Sequence, residues 1–159
     1  MRPVSQDDLA RMEQLRRGEN YPALQRLTDE LLAKLGDSIE PAAELVRSRV
    51  YYERSMVPLQ VAWKTPGDAR TQYEDACALA GLSARHAHNA GDPIGVMFAE
   101  VNIGGHILPG LGKTQEGLKM LKRILEQAQA LVCGSDEKSA KRLERVLSNT
   151  RILIDKNSQ

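Results

Sequence analysis

The chain has 159 residues, enough for one domain that buries roughly 70% of the surface exposed by its unfolded form. Its 22 basic and 21 acidic side chains leave a formal net charge of +1, so we expect neither a nucleic acid nor an anionic membrane as partner. One Trp, one Phe and four Tyr stand against abundant Ala, Leu, Arg, Glu and Lys, and this composition predicts an all-α fold.

The cysteines and the N-terminal residues bear on the cellular compartment. Cys77 and Cys133 are too few for a disulfide framework and too far apart for a Cys-x-x-Cys motif, so both are expected to be small core residues in a reducing compartment. The first 14 residues contain no apolar run that would indicate a cleaved secretion signal. The sequence also contains no run of about 18 consecutive apolar residues, the length needed to span a bilayer. We therefore expect a soluble, cytoplasmic protein.

Glycines divide the chain into pairs of helices. Gly36, Gly91 and Gly134 each end a run with helical apolar periodicity, and the Ser or Asp that follows can cap the next helix. A further turn lies inside each interval, and the intervals are predicted to be three helix pairs with one last capping helix. These units are 1–36, 37–91 and 92–134, with the capping helix at 135–156, in a single domain that spans 1–159.

Seven helices are predicted from the apolar periodicity, and Pro58 is expected to kink the third or end it early because it removes a backbone donor. Pro66 and Pro93 fall at the first position of the fourth and fifth helices, a favoured place for proline. The predicted bounds are roughly 5–17, 22–35, 39–62, 67–89, 93–108, 114–132 and 136–155.

Two start signals have the spacing of a capping box, in which a hydroxyl and an acidic side chain three residues later satisfy free N–H groups. Ser5 with Asp8 precedes the first helix, and Thr65 with Asp68 precedes the fourth. Both pairs place Asp where Glu is more usual. They predict helix starts close to these hydroxyl residues.

The third unit carries the most specific pattern in the chain. Gly105 lies within its first helix, Gly112 lies at its turn, and Glu116-Gly117-Leu118 enters its second helix. This pattern resembles the tetratricopeptide repeat family, and so does the GENYPAL turn that starts at Gly18, although the units exceed the family's usual 34 residues or so. The resemblance implies a right-handed array of antiparallel helix hairpins, whose first helices line a concave surface that binds a peptide or helix of a partner.

The resemblance directs attention to polar residues on the first helices. Arg47, Tyr51 and Arg54 share one face at i, i+4, i+7 spacing, and Asn102 and His106 share another at i, i+4. The resemblance makes all five candidate partner contacts because they lie on first helices, and Arg and Tyr are also the types that dominate binding hot spots. The alternative is that the two arginines form an ordinary solvated face and that the Asn and His make hydrogen bonds between helices.

The stretch from Ile107 to Thr114, ILPGLGKT, resembles the end of a phosphate-binding loop. Gly112-Lys113-Thr114 fits, but Ile107 stands where the first Gly is needed and the preceding segment has helical periodicity. We expect Leu108 and Pro109 to end a helix, Gly110 and Gly112 to form the turn, and Ile107 to belong to an apolar helix face.

Histidine placement does not favour a metal site. His86 and His88 are two residues apart, and such side chains point to nearly opposite sides of a helix. They are expected near a helix end, partly solvated. No catalytic set or cofactor loop is evident, so we expect no cofactor, no metal and no enzymatic activity.

The leading functional hypothesis is a non-catalytic interaction or scaffold module that binds a partner peptide or helix in a groove. One alternative is a regulatory domain that responds to a small ligand or nucleotide through Gly112-Lys113-Thr114. Another is a self-association module in which an uncovered end of the array pairs with a second copy to form a homodimer. Three consecutive apolar residues in the last helix, Ile152, Leu153 and Ile154, are more than a solubilising cap requires.

Overall fold

The computed structural model describes residues 3–159, and these form seven α-helices without a strand. The prediction of an all-α fold is confirmed, and each helix begins and ends within three residues of its predicted bounds when α5 is followed through to Gly110. α5 continues through a π-helical turn, Ile103–Ile107, and one last α-helical turn, Leu108–Gly110. The helices are α1 Gln6–Arg17, α2 Tyr21–Leu35, α3 Pro41–Lys64, α4 Arg70–Asn89, α5 Pro93–Asn102, α6 Thr114–Val132 and α7 Glu137–Asn157.

The apolar core consists of clusters that follow one another along the chain. Most helices pack mainly against their neighbours in sequence, and α1 also packs on α3 and α5 on α7, so successive groups of helices bury successive parts of the core. The first cluster joins α1, α2 and α3 through Met12, Leu24, Leu31 and Val50. The second joins α3, α4 and the π-helical turn through Met56, Leu59, Ala76, Ala80 and Ile107. The third joins α5, α6 and α7 and includes Met97, Val101, Leu121, Ile124, Leu143 and Val146.

Small side chains let α3 and α4 approach closely. Ser48 on α3 and Ser83 on α4 are both buried, and each hydroxyl donates a hydrogen bond to the backbone carbonyl of the other residue, at 2.9 and 2.8 Å. The buried side of α4 is otherwise formed by alanines at helical spacing: Ala76, Ala80 and Ala87. This pair of helices positions α3 against the rest of the molecule.

Glycines allow a second close crossing, where the π-helical turn meets α6. A Cβ atom built on Gly117 would lie 2.2 Å from the carbonyl oxygen of Gly104, a distance that no real side chain tolerates. A Cβ atom on Gly105 would lie 2.4 Å from Cδ1 of Leu153 on α7. The small residues that carry the resemblance to the repeat family therefore lie at close contacts between helices. Gly117 on α6 meets the backbone of the π-helical turn, and Gly105 in that turn meets α7.

The two predicted helix starts had different outcomes. Ser5 and Asp8 form the predicted capping box, in which the Asp8 N–H donates to Ser5 Oγ at 3.2 Å and the Ser5 N–H donates to Asp8 Oδ2 at 2.9 Å. The box at Thr65 and Asp68 was wrong, because the Thr65 hydroxyl instead donates to the Val61 carbonyl at 2.7 Å and ends α3. Gly67, with φ of +85°, then turns the chain before α4 begins.

Two predictions about single residues are corrected by the fold, one is confirmed, and of the two outcomes expected at Pro58 the early end of the helix is excluded. Pro66 lies outside α4, whereas Pro93 does open α5 as predicted. Pro58 does not end α3, which continues to Lys64 because the apolar side chains around the proline are held in the core. Cys133 is exposed and not a core residue; Cys77 packs half-buried against the second cluster.

None of the helices among residues 3–159 combines the length and apolar character needed to cross a membrane.

Candidate functional site

Arg47 holds the loop between α2 and α3. Its Nη1 donates to the carbonyl oxygen of Ser38 and, at 2.9 Å, to Glu44 Oε1, while Nη2 donates to the carbonyl oxygen of Gly36 at 2.9 Å. Only 12% of its side chain is exposed. The guanidinium is therefore used within the chain, and the alternative of a solvated arginine face is wrong here.

Arg54 and Tyr51 face the neighbouring helices in the same way. Arg54 Nε donates to Thr28 Oγ1 at 2.8 Å and Nη2 donates to Asp29 Oδ1 at 2.5 Å, which fastens α3 to α2 and leaves 16% of the arginine side chain exposed. The ring of Tyr51 stacks on that of His86 in α4, with centroids 5.5 Å apart. Arg47, Tyr51 and Arg54 thus lie on the side of α3 that faces α2 and α4. Contact of a partner with any of them stays a prediction.

A buried carboxylate links these groups. Glu44 accepts from Arg47 through one oxygen, and its other oxygen lies 2.5 Å from Nδ1 of His86. Burial acts to raise the pKa of Glu44, but the bond and charge of His86, with the charge of Arg47, outweigh burial and lower the pKa below its ordinary value. The network joins the α2–α3 loop to α3 and α4.

Asn102 and His106 both face α3. Asn102 is buried, and its Nδ2 donates to the sulfur of Met56 at 3.5 Å, so for this residue the inter-helix alternative is what the structure shows. His106 lies in the π-helical turn with its ring edge-on to Trp63, and the ring centroids are 5.1 Å apart. Burial, with a further contribution from the charge of Lys156, lowers the pKa of His106 to about 4, so its imidazole is neutral at pH 7.

Trp63 is the residue that sequence reasoning missed. It is the only tryptophan of the chain, it lies at the C-terminal end of α3, and half of it is exposed (50%) although it packs against His106. It belongs to the side of α3 opposite Arg47, together with the exposed residues Leu45 and Arg49 and the half-buried Gln60. We call this surface, formed by Leu45, Arg49, Gln60 and Trp63 with His106 beside them, the Trp63 face.

The spacing of these residues was a signal that sequence reasoning could have used. Leu45, Arg49, Gln60 and Trp63 follow one another at i, i+4, i+15 and i+18, which places them along one side of a helix. The predicted third helix ends at residue 62, one residue before Trp63, whereas α3 continues to Lys64, one residue beyond it. That difference moves the side chain from a loop onto a helix face.

Buried charge also shapes the edge of the Trp63 face. Glu53 is almost completely buried, and its Oε2 accepts a hydrogen bond from Arg16 Nε on α1 at 2.7 Å. A carboxylate buried to this degree needs its partner, since the unpaired charge would cost several kcal/mol. The pair fixes α1 beside α3, and periodicity alone did not predict it.

In the loop that resembles a phosphate-binding motif, backbone N–H groups donate to carbonyl oxygens of the same chain. The N–H of Lys113 donates to the Leu108 carbonyl at 2.8 Å, and the N–H of Gly112 donates to the Pro109 carbonyl at 3.0 Å. A helix precedes the loop, and Ile107 is completely buried in the second cluster, as predicted. Because the donors already have acceptors, the geometry lends no support to nucleotide binding.

One detail of this loop differs from the prediction. The helix extends one residue past Pro109, so Gly110 belongs to its last turn and not to the connection. A Cβ atom at Gly110 would lie 2.4 Å from the ring of Tyr73 on α4, which explains why this position needs glycine. Gly112, with φ of +78°, is the residue that reverses the chain.

The histidines do not converge. His86 and His88 lie in the last turn of α4, where His86 bonds to Glu44 and His88 is exposed, and His106 lies in the π-helical turn. Among residues 3–159, no group of three or more His, Cys, Asp or Glu side chains is arranged to hold a metal ion.

Comparison of the chain with protein-family models, with curated proteins and with solved structures found no match. The likeness to tetratricopeptide repeats therefore rests on the residues quoted above.

Proposed function

We propose that this protein is a non-catalytic interaction module that binds a peptide or helix of a partner protein on the Trp63 face. We further propose that its helices form a right-handed array of hairpins like that of tetratricopeptide repeats. The packing of each helix on its neighbours in sequence, with a core divided into consecutive clusters, supports this architecture.

The half-exposed Trp63 is the observation that carries the proposal. Tryptophan is among the residues most enriched in binding hot spots, because its large apolar surface can be buried with little loss of side-chain freedom. Here the edge contact with His106 already restricts the ring. A partner that covers the other half of Trp63 would therefore gain apolar burial at a small entropic cost.

Polar groups along the Trp63 face would orient such a partner. Arg49 is exposed on the same side of α3, and among residues 3–159 no acidic side chain forms a salt bridge with it. The Gln60 Oε1 atom accepts a hydrogen bond from the Tyr21 hydroxyl at 3.1 Å and lies half-buried between Arg49 and Trp63. The surface thus offers an aromatic contact at Trp63 and, about four helical turns away along α3, the exposed guanidinium of Arg49.

Affinity purification followed by titration tests the proposal. A partner recovered from the native source would be divided into peptides and titrated into the protein, with the emission of Trp63 as readout because no other tryptophan contributes. We expect the emission to shift on binding. Trp63→Ala has no tryptophan left, so its titration is followed by calorimetry beside the wild type. The substitution should weaken binding about 30-fold, which corresponds to a hot spot of about 2 kcal/mol.

Leu131→Ala serves as the matched control. Leu131 is an exposed apolar residue at the end of α6, about four turns from the point where Gly117 meets the π-helical turn, so its truncation should leave the affinity unchanged. Binding that survives Trp63→Ala, with folding verified by circular dichroism, would contradict the proposal.

A further inference from the structure

The N-terminal end of the molecule carries an apolar groove with a protruding apolar side chain at its rim. Val4, Leu35, Ala42 and Val46 line the groove between the start of α1, the end of α2 and the start of α3. Ile39 lies between Ser38 and Glu40, which also line it, and is 85% exposed. It is the most exposed large apolar residue of the described chain.

The loop that carries Ile39 is held firmly. Arg47 binds two of its carbonyl oxygens, those of Gly36 and Ser38, and Arg47 is itself fixed by Glu44. The N–H of Ser38 donates to the Leu35 carbonyl at 3.1 Å, and the N–H of Glu40 donates to Ser38 Oγ at 3.3 Å. Because the loop is ordered before binding, docking of Ile39 would lose little conformational freedom.

We propose that this end docks a second copy of the chain around a two-fold axis, with Ile39 of each copy seated in the groove of the other. A protrusion and a groove on one surface patch are what an isologous interface requires, since each copy supplies both parts. The charges at the groove agree with this occupant: Lys34 and Glu40 both line it, so a two-fold arrangement can place each lysine opposite the other copy's glutamate.

The opposite end of the molecule is less suited to the same role. Leu153 is buried against Gly105 and Ile154 packs against the third cluster, so of the three consecutive apolar residues 152–154 only Ile152 is exposed, at 61%. Exposed Lys138, Lys141 and Arg145 share that helix with it. Two of the three residues in the apolar run that suggested self-association through the last helix are therefore covered by packing within the chain.

Sedimentation velocity across a concentration series tests the proposal. We expect a monomer–dimer equilibrium for the wild type, and Ile39→Asp should raise its dissociation constant by at least about 10-fold because a charge would enter an apolar groove. Ile152→Asp is the matched control and should leave the equilibrium unchanged, since it places the same charge at an exposed isoleucine on the other end.

Charge reversal tests the orientation of the two copies. Lys34→Glu alone and Glu40→Lys alone each place like charges opposite one another and should weaken the dimer, whereas the double variant should restore it to within about 3-fold of the wild type. If the substitutions also destabilise the folded chain, the double variant suffers both losses. Restored dimerisation of the double variant therefore cannot result from a more stable fold.

A wild type that stays monomeric up to about 1 mM would overturn the proposal, as would Ile39→Asp that dimerises like the wild type. So would a double variant that dimerises no better than the single ones. These outcomes are separate from those for the Trp63 face, because a monomeric Ile39→Asp protein retains Trp63 and can still be titrated with partner peptides.

Discussion

His106 illustrates how position in the fold changes the chemistry of a single residue. In the sequence it is one of three histidines, and only its i, i+4 spacing from Asn102 distinguishes it. In the structure it packs against Trp63, and burial lowers its pKa to about 4. Burial removes water from the imidazole and so penalises its charged form, and the folded state therefore favours the neutral imidazole of His106.

Stability should therefore fall as the pH falls from about 6.5 towards 4. The unfolded chain binds a proton at His106 in this window and the folded chain does not. The neutral imidazole therefore contributes fully to the free energy of unfolding above pH 6.5, and up to about 3 kcal/mol of that free energy is lost near pH 4. Glu44, whose pKa is also lowered, adds a loss in the same direction, but only below its ordinary value of 4.5. Urea denaturation at a series of pH values measures the free energy of unfolding.

His106→Phe separates this effect from other titrations. The variant keeps a ring beside Trp63 and removes the proton site, so the slope between pH 6.5 and 4.5 should become shallower than in the wild type. His86 and His88 remain in both proteins and cancel in the comparison. Equal slopes would show that His106 is not buried as described.

At the scale of helices, the crossing of the π-helical turn with α6 depends on the absence of side chains. The carbonyl of Gly104 lies where a Cβ atom of residue 117 would be, and backbone atoms cannot move aside as a flexible side chain can. The distance between these two elements in turn determines how α6 covers the third cluster. The glycine in the repeat-like trio is thus explained by packing and not by a turn.

Gly117→Ala should destabilise the protein by more than about 2 kcal/mol, because the added methyl group forces the helices apart. Gly81→Ala is the matched control: Gly81 is an exposed helical glycine in α4 with no atom within 4 Å of a new Cβ, so the higher helix propensity of alanine should stabilise the protein by about 0.5–1 kcal/mol. Thermal or urea unfolding measures both. A Gly117→Ala protein as stable as the wild type would contradict the close crossing.

For the whole molecule, the division of the core into clusters is the feature with the widest consequence. Leu24 belongs to the first cluster and Leu121 to the third, and the second cluster lies between them in chain order. In such an arrangement each helix depends chiefly on its neighbours, so a defect at one end weakens that end most.

Hydrogen exchange can follow this effect. Each Leu→Ala change at a fully buried position costs about 2–5 kcal/mol. Leu24→Ala should accelerate exchange in α1 and α2 more than in α6 and α7, and Leu121→Ala should do the reverse. The two variants control for one another, and equal acceleration in all helices would indicate one fully cooperative core instead.

Local sequence alone determined the number, type and approximate bounds of the helices, because apolar periodicity, Ser5–Asp8 capping and turn glycines such as Gly112 act over a few residues. It also predicted Ile107 as a core residue. What it could not decide is which face of a helix meets which neighbour. Arg47, Tyr51 and Arg54 were correctly placed on one side of α3, but only packing against α2 and α4 shows that this side is occupied and that Trp63 remains half-exposed on the other. Spacing along a helix defines its faces, whereas their burial depends on contacts between residues far apart in the chain.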